Sequence, residues 1–338
     1  MPTFRVAAVT ELLAERRGLQ RVDTELGRAF VLTQLTGPVE VGDRVVLNTT
    51  AVELGLGTGG WHVVHWNLAH DEGWGEPGPG HLMKLRYTSL QVDTGAAEEE
   101  HQDLPRSLEG TPVVACGLHS QVAPVVVALR AAAPSARVSY VMTDGAALPL
   151  ALSDLVADLV AGALLDGTIT AGHAFGGDLE AVSVPGALAL ARHVQRADAV
   201  VVSMGPGVVG SGPPLGTTAV EVAAVLDAAA ALDGCAIAAL RMSSADERPR
   251  HQGLSHHART ALDLTRSRVL APVPTGADVT GLERHDVRRV EPPDVAGLLA
   301  AAGISVTTMG RGPDEDPLFF AAAAAAGHLA GTLLAQGR

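Results

Sequence analysis

Four side chains in this sequence join acid–base or metal-ligating chemistry to a position just past an apolar run: His119, Asp144, His173 and His256. Imidazole and carboxylate groups move protons near neutral pH, or bind zinc, manganese or iron through nitrogen and oxygen. Asp178 extends this candidate N/O set. No H-E-x-x-H or comparable local pattern accompanies them, so the sequence assigns no metal and names no cofactor. A second set suits an anion. Gly205-Pro206-Gly207-Val208-Val209-Gly210 spells G-x-G-x-x-G and continues into Ser211 and Gly212, between an apolar strand and a helical stretch. Glycines let the backbone approach an anion, and a helix N-terminus offers it free N–H groups. Arg241 and Ser243 open a segment that also carries Arg248, Arg250 and Arg259, the one local concentration of positive charge. Guanidinium groups fit phosphate or carboxylate ligands.

Several details narrow these readings. Pro213-Pro214 separates the glycines from the helix, which should therefore start near Thr217. The acidic residue expected after the following strand of a dinucleotide site is absent, since that strand runs into Arg241. An anion site thus fits better than a dinucleotide fold. Gly55–Gly60 has the same spelling but leads into the β-like Trp61-His62-Val63-Val64-His65-Trp66, and reads as a loop between strands. His62 and His65 lie three apart on that strand, on opposite faces, and should not share an ion. His256 and His257 are neighbours on a helix, about 100° apart, so only one of them should face the site. A Walker A loop and Schiff-base chemistry in the C-terminal region are excluded, because the one lysine is Lys84. No G-x-S-x-G nucleophile elbow is present.

The elements that must position these residues fall into two regions. Residues 1–95 read as short strands broken by turns, at Phe4–Val9, Ala29–Leu35, Arg44–Asn48 and Trp61–Asn67, which predicts a small β-rich barrel or sandwich. Residues 96–110 contain Glu98-Glu99-Glu100-His101-Gln102-Asp103 and Pro105, and read as a solvated linker. Residues 111–338 alternate apolar strands with helices, the pattern of an α/β domain with a mostly parallel sheet and helices on both faces. Ligands of such sheets bind beyond the carboxyl ends of the strands. Five loops follow those ends, at residues 117–121, 143–145, 172–178, 205–212 and 241–246, and should meet along one edge. The polar stretch Asp246–Gly253 reads as a lid over it.

Composition sets the outer limits. A net charge of -13, without a Lys/Arg-rich stripe, argues against a nucleic-acid partner. The start of the chain has no basic-then-apolar signal pattern, and the longest apolar run, Leu318–Leu334, contains His328 and is dominated by Ala and Gly. The expectation is a cytoplasmic protein without a membrane partner, whose C-terminal segment is a tightly packed helix. Cys116 and Cys235 lie far apart in apolar runs, which predicts buried thiols and no disulfide. The small-residue C-terminal helix, together with the symmetric assembly usual among metabolite proteins, gives the expectation of a homodimer.

The loops Gly117–Gln121, Met142–Pro149, Thr170–Val182, Ser203–Gly216 and Arg241–His257 together resemble an uncharacterised bacterial family, domain of unknown function 3866. The resemblance spans nearly the whole chain and implies no reaction. From the residues, the expected function is binding of a small anionic metabolite, phosphorylated or nucleotide-like, at the carboxyl edge of the sheet, with transformation of that ligand if the polar side chains act on it. The alternative is a non-catalytic metabolite sensor or assembly protein.

Overall fold

Period-two alternation in the first 67 residues gives each strand one apolar face, and those faces close on each other. The computed structural model describes residues 1–70, 75, 78, 80 and 82–337, and the chain divides into two units, Met1–Gly95 and Ala96–Arg338. In the first unit, β1 (Phe4–Arg16), β2 (Leu19–Thr24), β3 (Ala29–Val31), β4 (Arg44–Asn48) and β5 (His62–Asn67) form a closed barrel in the order β1-β2-β3-β5-β4. Its interior is filled by small aliphatic side chains, among them Val9, Val22, Val31, Val45, Leu47 and Val64. The long β1 pairs with both β2 and β4, and irregularities at Val9/Glu11 and Leu12/Ala14 bend it between them. β2 is not among the strands expected from sequence, because its alternating buried residues are Gln20, Val22 and Thr24, so that two of the three are polar and the apolar alternation is hidden. The strand expected over Ala29–Leu35 stops at Val31. Thr33–Thr36 instead makes one helical turn, closed by Gly37 at φ +71°. β6 (Met83–Lys84) and β7 (Val92–Asp93) make a short antiparallel pair.

The second unit is built on eight strands, all parallel: β8 (Pro112–Cys116), β9 (Val138–Thr143), β10 (Gly167–Ala171), β11 (Leu179–Ala181), β12 (Ala199–Met204), β13 (Cys235–Ala239), β16 (Leu270–Pro274) and β17 (Asp286–Val290). A small hairpin, β14 (Met242–Ser243) with β15 (Gly253–Leu254), interrupts the series. The strand order is β11-β10-β9-β12-β8-β13-β16-β17. Every residue of β8, β9, β10 and β12 is buried, which is why these strands read as unbroken apolar runs. Val114 and Cys116 pack under helices Val122–Ala132 and Pro317–Gln336, whereas Val113 and Ala115 pack under helices Val184–His193 and Val222–Ala231.

Pro317–Gln336 has the length and hydropathy of a membrane span, but more than half of that stretch is buried inside the protein. It lies along Val122–Ala132, where Gly327 and Gly331 face the carbonyls of Val125 and Leu129. Residues 96–110, read from sequence as a solvated linker, pack on this unit. Leu108 is fully buried, its N–H donates to Leu232 O, and Glu98 accepts from Val182 N–H. Leu108, Ala97 and Leu104, with a few hydrogen bonds, anchor a segment whose composition is otherwise that of a solvated one.

Candidate functional site

The chain returns through β12 into the gap between β8 and β9, so the loops that end those strands are neighbours. They touch in series. The carboxylate of Asp144, after β9, accepts from the His173 N–H after β10 at 2.9 Å. Ala147 N–H donates to Pro206 O after β12. His119, after β8, reaches Met204 O at the end of β12. Gln121 donates to Ala239 O at the end of β13. Finally, a Cβ added to Gly210 would lie 3.3 Å from Cε1 of His257. All five loops therefore form one continuous edge, with three centres along it.

The first centre is a crevice of about 310 Å³ between the β8 and β12 loops, lined by His119, Ser120, Gly207, Val208, Thr307 and Thr308 among others, with no carboxylate on its walls. The helix after β8, Val122–Ala132, packs on one face of the sheet, and the helix after β12, Val222–Ala231, on the other. That makes this gap the topological switch point of the sheet. His119 braces it. The Met204 carbonyl must accept, so Nδ1 carries the proton (3.0 Å), and Nε2 then accepts from the Ser153 hydroxyl at 2.7 Å. Ser153 in turn caps helix Asp154–Ala161 by accepting from Val156 N–H. Burial pushes the imidazole pKa down to about 4, although the Met204 hydrogen bond opposes the shift.

The Gly-rich loop forms one wall of this crevice but not a continuous cradle. Gly205 lies so close to Ala147 O that a side chain would not fit, and Gly207 takes φ +96°. Gly210 then bridges to Thr217, Thr218 N–H donates to Val209 O, and Ser211 bonds to Gly216 O. The loop is thus a hairpin with Ser211 and Gly212 at its exposed turn. The helix follows only from its cap at Thr217, as the proline pair implies.

The second centre was not found from sequence. Glu221 accepts from the Thr143 hydroxyl at 2.6 Å and lies over Gly145, where a Cβ would come within 2.5 Å of its carboxylate. Burial raises its pKa to about 7. The Thr143 hydrogen bond opposes the shift and the charge of Asp144 adds to it. An acid in the first turn of a helix is ordinary in sequence, so nothing local marked Glu221 as the partner of a strand end far away in the chain.

The third centre surrounds hairpin β14–β15. Asp246 is buried and faces three guanidinium groups: Arg248 doubly at 2.9 and 2.8 Å, Arg241 at 3.4 Å and Arg311 at 3.7 Å. Ser243 donates to the fully buried Asp316 at 2.6 Å and accepts from Asp246 N–H. Arg241 and Ser243, anion-binding candidates by sequence, are thus engaged in an internal network. The segment read as a lid, Asp246–Gly253, is pinned by the same network. Beside it stand His251, His256 and His257. The His256 and His257 rings, expected to diverge, lie 4.1 Å apart and both adjoin His251 at 4.8–4.9 Å. Both histidines lie at the very start of their helix, and side-chain torsions bring the two rings together there.

The N/O set suggested by sequence does not assemble into one group. His119 braces the crevice, Asp144 and His173 share a backbone hydrogen bond, and Asp178 holds Thr168 at 2.9 Å. In the barrel, His62 is buried against Leu26 O, while His65 packs on Phe4.

These buried imidazoles make a testable difference at acid pH. A histidine whose folded pKa lies below its unfolded value stabilises the fold only while neutral, so that stability is lost as pH falls from about 6.5 through the folded pKa. His119 and His257 are held near 4 and His251 near 3, in each case chiefly by burial. Urea denaturation should therefore show stability declining between pH 6.5 and 4, with a shallower decline in His119→Gln. An unchanged slope in that variant would mean that His119 takes up its proton equally in the folded and unfolded states, so that burial does not hold it neutral.

The fold and this edge define the second unit as an α/β protein with a fully parallel sheet and polar loops gathered at its switch point. The chain belongs to the family described as protein of unknown function DUF3866, whose model matches residues 28–327. No curated protein and no solved structure matches the chain.

Proposed function

We propose that the second unit binds a small anionic metabolite, phosphorylated or nucleotide-like, in the crevice between the β8 and β12 loops. The observation that carries this reading is the coincidence of the switch point with a crevice of about 310 Å³ whose lining has no carboxylate, in a chain of net charge -13. His119 and Ser120 of the helical turn His119–Gln121, which runs on into helix Val122–Ala132, lie on the crevice wall, so the positive end of that helix dipole is toward the ligand. Gly207, at φ +96°, lets the backbone of the opposite wall come close to a ligand. In this reading His119 positions the two loops, since both of its nitrogens are engaged.

The test is a thermal-shift and calorimetric screen of nucleotides, sugar phosphates and small dicarboxylates against the full chain. At least one phosphorylated compound should bind, and Ser120→Phe, which fills the crevice, should weaken binding at least about tenfold, the equivalent of 1.4 kcal/mol. Gly207→Val should do the same through backbone strain. Binding that survives both substitutions in folded protein would place the ligand elsewhere.

A further inference from the structure

We propose that His251, His256 and His257 form a three-imidazole binding site for a divalent transition metal, zinc in the first instance, with one coordination position left for a water or an oxyanion. One ligating atom from each of the three lies within 4.8 Å of the others, and among the described residues this is the grouping of three metal-ligating side chains that the fold brings together. Tetrahedral zinc holds its nitrogens about 3.3 Å apart, given Zn–N bonds of roughly 2.0–2.1 Å. From the observed spacing, closure asks the ligating atoms to approach by up to about 1.5 Å, and His256 is the partly exposed member of the three.

The second observation is independent of spacing. Nε2 of His251, Nε2 of His256 and both ring nitrogens of His257 are buried and have no hydrogen-bond partner. His251 is fully buried and His257 nearly so. Buried polar atoms are almost always satisfied, because leaving one unpaired costs about 1–3 kcal/mol. Several such atoms facing one another are what a cation would satisfy together. The surroundings already orient one ligand. His251 Nδ1 lies 2.8 Å from the Ser255 hydroxyl, which also accepts from His257 N–H and caps the helix. With Nδ1–H donating to Ser255, the lone pair of His251 is on Nε2, the nitrogen without a partner. Holding the far nitrogen of a ligating histidine in this way is the usual outer-shell arrangement at metal sites.

Three neutral imidazoles leave the charge of the ion uncompensated, and Arg241, Arg248 and Arg250 add positive charge nearby, which Asp246 offsets only at His251. The open position therefore favours hydroxide or an oxyanion such as a carboxylate or phosphate oxygen. Arg241 and His257 also line one small cavity of about 20 Å³, room for a single water. Nitrogen ligands without thiolate exclude a soft-metal site and suit zinc, with cobalt as a spectroscopic substitute. The inference rests on these three residues and not on the crevice at the switch point, so either proposal can fail alone.

The experiment uses the full chain without a polyhistidine tag, stripped with a chelator and titrated with zinc at neutral pH against a chromophoric competitor. One equivalent should bind with submicromolar affinity, and cobalt should give the intense visible absorption of a four-coordinate site. His256→Ala, at a partly exposed position in the first helical turn, should keep the native circular dichroism spectrum and lose about 100-fold or more in zinc affinity. Ser255→Thr should retain binding, whereas Ser255→Ala should weaken it about tenfold through the lost ring orientation. Absence of stoichiometric binding at micromolar zinc overturns the proposal. So does wild-type affinity in folded His256→Ala, or a cobalt spectrum of purely octahedral, hydrated type.

Discussion

Gly327→Leu should leave the second unit unable to fold, and Gly327→Ala should already cost about 1–3 kcal/mol, the usual range for overpacking a closed core. The expected sign is the informative part. In the interior of an exposed helix, alanine is more favourable than glycine by about 1 kcal/mol. Here Gly327 faces helix Val122–Ala132 so closely that a Cβ would run into the Val125 carbonyl, with the carbonyl carbon at 2.7 Å and Cα at 2.9 Å. At Gly331 a Cβ would lie 2.7 Å from both Leu129 O and the Ala132 methyl. Backbone cannot move aside as the tip of a side chain can. Equilibrium urea denaturation of Gly327→Ala and Gly331→Ala checks this directly: a gain in stability at either position would show that the two helices are not held at this separation.

The second large effect is expected at Asp246. Its carboxylate is the common partner of Arg241, Arg248 and Arg311, and Arg241 is itself only 8% exposed. Asp246→Ala strands a buried guanidinium, and removal of one member of a buried ion pair typically costs about 3–5 kcal/mol. Replacing both partners, in Asp246→Leu with Arg241→Met, should recover part of that loss, because no buried charge is then left alone. If the single and double variants are equally destabilised, packing rather than charge holds the hairpin. The pH dependence separates this network from the histidines. Hydrogen bonds from Arg248, with the nearby positive charge, hold the Asp246 carboxyl well below the usual carboxylate range. Its contribution is thus present above the unfolded carboxylate value near 4 and is lost only in stronger acid, as pH falls through the folded value. Destabilisation between pH 6.5 and 4 belongs to the imidazoles. Asp246→Ala should lower the whole curve across that window without flattening it.

The helix contact at Gly327, and the part of the Asp246 network that Arg311 supplies, join residues far apart in the chain, and that is where the reading from sequence stopped. The buried strands β8, β9 and β12 were legible because a strand covered on both faces must be apolar at every position, and no partner need be known to see it. The five polar loops were legible for a related reason: a loop that follows such a strand has to lie at its carboxyl end. The late helix start at Thr217 followed from Pro213-Pro214, whose fixed backbone dihedrals act locally. Residues 96–110 read as solvated because composition reports the average character of a segment, whereas a few apolar residues, Ala97, Leu104 and Leu108, dock it.

What the sequence by itself determined about this protein is its two-region layout, the α/β character of the second region and the edge on which its polar loops lie. These depend on hydrophobic period, turn chemistry and chain direction, all of which act within a few residues. Only the tertiary structure decided that Glu221 meets Thr143, that His251 joins the His256–His257 pair, that Arg241 and Ser243 serve an internal network, and that the crevice falls between β8 and β12. Each of these depends on strand order and on side-chain torsions at the ends of elements. Those are selected by packing across the whole unit, because the free energy of a buried contact depends on which distant atoms fill the space around it.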